Sequence, residues 1–96
     1  MVSNMKVRNM TSSKGNKIAN QFIITDGETK VFQSYDSVIA RVSYGAADRL
    51  VQLDQYYWDY SVTTGKYRNQ FLGETKAETQ KKIDSGEYIL TNLNGE

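Results

Sequence analysis

Leu50 to Leu72, LVQLDQYYWDYSVTTGKYRNQFL, concentrates the side chains of this chain that can recognise another molecule. The stretch holds the single Trp, four of the seven Tyr and one of the three Phe, interleaved with Lys66, Arg68, Asn69 and Gln70. Three roles are open to it. Tyr56, Tyr57, Trp58 and Tyr60 beside Lys66 and Arg68 could stack unpaired bases, at about 1–3 kcal/mol per base. Trp, Tyr and Arg also dominate protein–protein hot spots. In a strand, finally, Tyr56, Trp58 and Tyr60 would share one face and Tyr57 the other, making part of the cluster core for a domain poor in Leu and Phe. Lys66, Tyr67, Arg68, Asn69 and Gln70, on a short predicted helix, could contact phosphates or form the solvated face of a surface helix.

Catalytic chemistry finds less material. Asp48, Asp54 and Asp59 lie close in sequence and three carboxylates can hold Mg²⁺ for a nuclease, but their spacing matches no metal-loop motif. Asp54 could instead cap a strand end, and Asp59 could pair with Arg68 or Lys66. A Tyr nucleophile needs an activating base or cation array, and the chain has no His and only scattered cations. With no Cys either, thiolate metal sites and disulfides are excluded. The inventory points away from an enzyme and from any metal or cofactor.

Charge is uneven although the net charge is +1. Lys6, Arg8, Lys14 and Lys17 face no acidic residue before Asp26, so the N-terminal segment is basic. It could draw a phosphate backbone or an acidic protein, or be a solvated edge strand and loop. The SSKGNK loop could nest an anion on its N–H groups, but it lacks the spacing of a nucleotide-binding P-loop and no helix follows it. An apolar leader is absent, as is any run of about 18 apolar residues, so the expectation is a cytoplasmic protein without membrane contact. Asn9-Met10-Thr11 then matches the glycosylation pattern by chance.

The elements that must position these residues follow from pattern and turn chemistry. At 96 residues the chain makes one domain, 1–96. Residues 5–11 alternate Met5 and Val7 against Lys6 and Arg8, a weak strand ended by Ser12-Ser13-Lys14-Gly15-Asn16. Ile18, Phe22 and Ile24 then mark one face of a second strand, with Asn20 discordant and needing a partner or a bulge. Asp26-Gly27 is a strong hairpin signal, pairing Ile18–Thr25 with Thr29–Tyr35. Ser37–Tyr44 alternates Val38, Ala40, Val42 and Tyr44 inward, with Ile39 as the outward exception. After Gly45-Ala46-Ala47-Asp48, a strand from Leu50 runs into the aromatic cluster.

Beyond Tyr60 the period changes. Ser61 or Thr63 can cap a helix that carries Tyr67 and Phe71 at i, i+4 and stops at Gly73. Thr75-Lys76-Ala77-Glu78 is a capping box, Glu78 can pair with Lys82, and Ser85-Gly86 ends a second helix whose thin apolar face is Ala77 and Ile83. Residues 87–93 close with a strand. The expected class is α+β, a mainly antiparallel sheet of about five strands with two short helices near the C-terminus.

The segments NMTSSKGN, ANQFII, FQSYDS, YWDYSVTTGKYRNQFLGE and KIDSGEYIL, which together span nearly the whole chain, resemble small uncharacterised proteins of bacteriophages and mobile elements. The resemblance implies an accessory protein inside an infected cell, where inhibitors of host defence such as anti-CRISPR proteins, and binders of phage nucleic acid, are common occupations. The resulting expectation is stoichiometric binding of a host or phage protein through Tyr56, Tyr57, Trp58, Tyr60, Lys66, Tyr67, Arg68 and Asn69. The alternative is single-stranded nucleic acid on the same aromatics together with Lys14 and Lys17. Oligomeric state is left open.

Overall fold

The computed structural model describes residues 5–45 and 49–95. The alternating segments bounded by turn formers become strands. β1 (Lys6–Thr11), β2 (Lys17–Asp26), β3 (Thr29–Ser34), β4 (Ser37–Tyr44) and β5 (Arg49–Asp54) make an antiparallel meander. Two helices follow, α1 (Val62–Leu72) and α2 (Lys76–Asp84), and β6 (Tyr88–Thr91) then joins the far edge of β5 in parallel. A parallel neighbour requires a crossover long enough to return the chain to its starting end, and the helix pair supplies it. The class is α+β as expected. The sheet is mixed and six-stranded in the order β1-β2-β3-β4-β5-β6, one strand more than the expected five.

Local signals account for most boundaries. Asp26 pairs with Thr29, leaving Gly27-Glu28 as a two-residue loop in which Gly27 takes φ 61°. Ser61 caps α1 by accepting from the Thr64 N–H, and Gly73 ends it at φ 72°. The Thr75 box caps α2 reciprocally with Glu78. Because the Glu78 carboxylate serves that cap, Lys82 pairs instead with Glu74, at 2.8 Å. Asn20, the discordant residue, sits at φ 65° where the β1–β2 register slips between Asn9 and Thr11. The connection expected at residues 45–48 lies, from 46 to 48, outside the described residues.

Cross-strand register defines two faces. On the helix-covered face one row runs Arg8, Ile23, Phe32, Ala40, Leu53, Leu90 and the next Lys6, Thr25, Lys30, Val42, Val51, Tyr88. The core forms where α1 and α2 cover these rows: Met10, Phe32, Ile39, Ala40, Val42, Val51, Leu53, Leu72 and Tyr88 are buried. Phe71 of α1 stacks on Phe32 at 5.8 Å between centroids. Each large side chain buried there contributes about 1.5–3 kcal/mol. On the opposite face the row Val7, Ile24, Val31, Arg41, Gln52, Ile89 stays open among the described residues, bridged at its centre by Arg41 donating to Gln52 at 2.6 and 3.0 Å.

Three expectations of facing are corrected. Met5 and Val7 are exposed, and β1 turns Lys6, Arg8 and Met10 toward the helices. In β2 it is Gln21 and Ile23 that face the core side, while Phe22 and Ile24 lie on the open face. Ile39 is fully buried, because the register slips between Phe32 and Gln33 and the extra residue turns inward with Ala40.

The N-terminal turn of α1 is pinned to the end of β3 by a buried hydroxyl pair, Ser34 Oγ and Thr64 Oγ1, at 3.1 Å. Removing one partner strands the other, whereas replacing both can be nearly neutral. Ser34→Ala or Thr64→Val alone should therefore cost about 1–3 kcal/mol in urea unfolding, and the double variant less than the sum. Strict additivity would rule out the pair as a coupled contact.

Candidate binding site

The residues that end β5 determine the shape of the aromatic stretch. Asp54 is fully buried, and its Oδ2 accepts from the N–H groups of Tyr56 and Tyr57, both at 3.0 Å. Its Oδ1 accepts from Leu93 N at 2.8 Å and Asn94 Nδ2 at 2.9 Å. A carboxylate beside its own following N–H groups favours a turn over a continued strand. The expected strand through Tyr56–Tyr60 is thus a loop: Trp58 N donates back to Asp54 O at 3.0 Å, and Tyr57 meets Tyr60 edge to face at 5.3 Å. Tyr57 and Trp58 are half-buried against the core, while Tyr56 and Tyr60 are 70% and 49% exposed.

Arg68 is the principal correction. It was expected on a solvated helix face, yet it is 1% exposed. The buried stripe of α1 is Thr64, Arg68, Leu72, spaced i, i+4, i+8, and two of its three members are polar. Arg68 Nη1 donates to Trp58 O, Nη2 donates to Asn69 Oδ1 at 2.9 Å, and the guanidinium lies 5.2 Å from the Trp58 ring centroid. Asp59 Oδ1 is 3.5 Å from Nη1, and Asp59 Oδ2 is 2.7 Å from Lys76 Nζ at the start of α2. Burial pushes the guanidinium below its ordinary value, opposed chiefly by the Asp59 carboxylate and at longer range by Glu74. It nonetheless remains a cation at neutral pH.

A second buried network lies behind it. The Glu74 carboxylate, its side chain 5% exposed, accepts from Thr79 Oγ1 at 2.6 Å, Lys82 Nζ at 2.8 Å and the Tyr88 hydroxyl at 2.8 Å. Arg49 Nη2 donates to that same hydroxyl at 3.1 Å. Desolvation of Glu74 works against ionisation, but the hydrogen bonds from Lys82, Thr79 and Tyr88 outweigh it and hold the carboxyl below its usual range. Burial, and then the bond to Glu74, push the Tyr88 hydroxyl up.

Beside the aromatic loop these elements enclose an open hollow of about 600 Å³, lined by Asp59, Tyr60, Ser61, Val62, Gly65, Lys66, Arg68, Asn69 and Lys76. Val62, at the first position of α1, is 91% exposed on its lip. Gly65 packs closely over the buried guanidinium of Arg68: a Cβ there would lie 3.7 Å from both terminal nitrogens, in van der Waals contact. Arg68 Nε has no hydrogen-bond partner among the described residues.

Of the residues expected to bind, Tyr60, Lys66, Arg68 and Asn69 meet at this hollow, and Tyr56 stands in the same loop. Tyr67 is half-buried against the core, with the Lys66 ammonium 5.4 Å from its ring centroid. Lys14 and Lys17 are not brought to it. Lys14 lies in the β1–β2 turn and Lys17 opens β2, and neither lines the hollow, although Gln70 of α1 donates to the carbonyl of Thr11, the cross-strand partner of Lys17, at 2.9 Å. In that turn the N–H groups of Ser12, Lys14, Gly15 and Asn16 all bond internally to Ser12 or Asn16, so they are not free to nest an anion. Asp54 and Asp59 are held in structural bonds, Asp59 with Lys76 rather than Lys66. Val62, Gly65 and Lys76 line the hollow without standing among the residues expected to bind: nothing in residue type separates an exposed Val at a helix start from a buried one. Tyr35 was missed as well. It is exposed on the β3–β4 turn at the same end of the sheet and is held at φ 55°.

Residues 5–87 match the model of a family described as a family of unknown function, DUF8033. The chain belongs to the DUF8033 family. The match runs from β1 to the turn before β6 and therefore includes the aromatic loop, both helices and the hollow. Neither a curated protein nor a solved structure matches the chain.

Two outcomes test the networks. Arg68→Met should destabilise by about 3–5 kcal/mol in urea, because it leaves Asp59 and the Trp58 carbonyl without their buried partner. Arg68→Lys should recover little of that loss, since one ammonium cannot reproduce the fork; full recovery would mean that charge alone suffices. Glu74 has a folded pKa below its unfolded value of about 4.3, so its contribution is fully present above that pH and is lost as the pH falls through the folded value. Glu74→Gln should lower stability at neutral pH by about 1–2 kcal/mol and flatten the acid limb of stability against pH. An unchanged acid limb would remove Glu74 from it.

Proposed function

We propose that this DUF8033 chain works by stoichiometric, non-enzymatic binding of a protein partner at the hollow beside the aromatic loop. The observation that carries the reading is the exposure of Tyr56, Tyr60 and Val62 on a loop and helix start whose base is held by buried Asp54 and Arg68. Exposed aromatics on a pre-ordered support lose little entropy on binding, which is how hot-spot residues supply affinity. Lys66 on the hollow's rim, with Lys76 beside it in its pair with Asp59, suits a partner that brings an acidic side chain next to an apolar one. In keeping with the resemblance to phage and mobile-element proteins, the partner class is a host or phage protein, and inhibition of host defence is the occupation proposed for the complex.

Single-stranded nucleic acid is the second reading, favoured by the placing of Lys66 and Lys76 beside Tyr60. The two part on salt. Phosphate contacts release counterions, so oligonucleotide affinity would fall steeply with salt, whereas an aromatic-centred protein interface would change little.

The test couples capture from bacterial lysate to direct titration of the purified partner at low and high salt. Tyr56→Ala should keep the urea midpoint, Tyr60→Ala should lose no more than about 1 kcal/mol of stability with its Tyr57 contact, and each should weaken binding by about 2 kcal/mol, near 30-fold, at a stoichiometry of one. Folded variants that bind at full affinity would dismiss this surface, and a steep salt slope with oligonucleotide would move the assignment to nucleic acid.

A further inference from the structure

A second cavity, of about 150 Å³, opens on the helix-covered face of the sheet beyond the C-terminal end of α1. Its floor is apolar, formed by Met10, Ile23, Val42, Phe71 and Leu72. Around it stand Arg8 from β1, Lys30 from β3 and Arg49 from β5, with Tyr44 and Gln70. Lys6, on the same row of the sheet as Lys30 with Thr25 between them, adds a fourth cation on this face.

These cations are not there to satisfy buried acids. Among the described residues Lys6, Arg8, Lys30 and Arg49 form no ion pair and no carboxylate lines the cavity. Glu74 is already occupied by Lys82, Thr79 and Tyr88, and Glu28 on the β2–β3 turn pairs with none of them. Arg49 is steadied by its bond to the Tyr88 hydroxyl, and that bond uses one of its five donors. Cations drawn together from three strands repel one another, and a bound anion would relieve that repulsion.

We infer that this cavity is a binding site for a small phosphate ester, its phosphate held by Arg8, Lys30 and Arg49 and its organic body resting on the apolar floor. Three cations from separate strands match the several oxygens and the second charge of a phosphate monoester; a carboxylate has two oxygens and one charge. The volume equals about five waters of liquid, room for the phosphate and the part of the body next to it. The site is separate from the hollow at the aromatic loop, and it does not rest on the reading of that hollow.

The probe is phenyl phosphate, with inorganic phosphate lacking the body and phenol lacking the charge. In methyl-resolved NMR titrations of the full chain, phenyl phosphate should move the signals of Met10, Ile23, Val42 and Leu72 saturably. Inorganic phosphate should bind more weakly and phenol should leave them in place. The Arg8→Gln, Lys30→Gln double variant, which changes two exposed side chains, should weaken phenyl phosphate at least about tenfold. Lys14→Gln with Lys17→Gln should not. The assignment is overturned by the absence of saturable shifts, by equal binding of phenol, or by equal losses in the two double variants. Equal affinity of inorganic phosphate would remove the organic body from it, and displacement by oligothymidylate at matched phosphate concentration would reassign the site to a nucleic-acid backbone.

Discussion

The guanidinium of Arg68, buried beneath the aromatic loop, joins segments that the sheet alone would leave apart. It accepts the Trp58 ring on its face, bonds the Trp58 carbonyl and Asn69, and shares Asp59 with Lys76 of α2. A charge taken out of water is tolerated only when its donors find partners, so the loop has little freedom to move away from α1. Asp59 also reaches Lys76, the first residue of α2, through a partly exposed ion pair.

Asp54 and Glu74 apply the same logic at two other junctions. Asp54 gathers the start of the aromatic loop and the C-terminal segment onto one carboxylate. Glu74 ties the connection between the helices to α2 and, through Tyr88 and Arg49, to the two parallel strands. In a domain whose apolar core is this small, such junctions decide which loops are rigid. The rigid loop is the one that holds Tyr56 and Tyr60 out to solvent, which is why the proposed partner surface lies there and not on the longer strands.

Much of the framework was legible in the residues. Ser61 and Gly73 bracket α1, the Thr75 box opens α2, and Ser37–Tyr44 is a strand over the expected span. Those features depend on neighbours within a turn of chain. The site was legible only in part: its aromatic and basic content was visible, but Arg68 looked like a surface cation because α1 has a polar buried stripe. The partners that make that stripe tolerable, Ser34 and Asp59 among them, come from other elements.

By itself the sequence determined the class of fold, the helix caps, the β2–β3 turn and the richness in Tyr, because each is decided by short-range sterics and hydrogen bonding. Only the tertiary structure decided which side of β1 and β2 meets the helices, that Ile39 turns inward, that the aromatic run leaves the sheet, and that β6 lies parallel to β5. A period of two marks two faces but not which one is covered, and a bulge of one residue reverses the choice. The gathering of Arg8, Lys30 and Arg49 around one cavity is of the same kind, since residues distant in the chain become neighbours only through strand register.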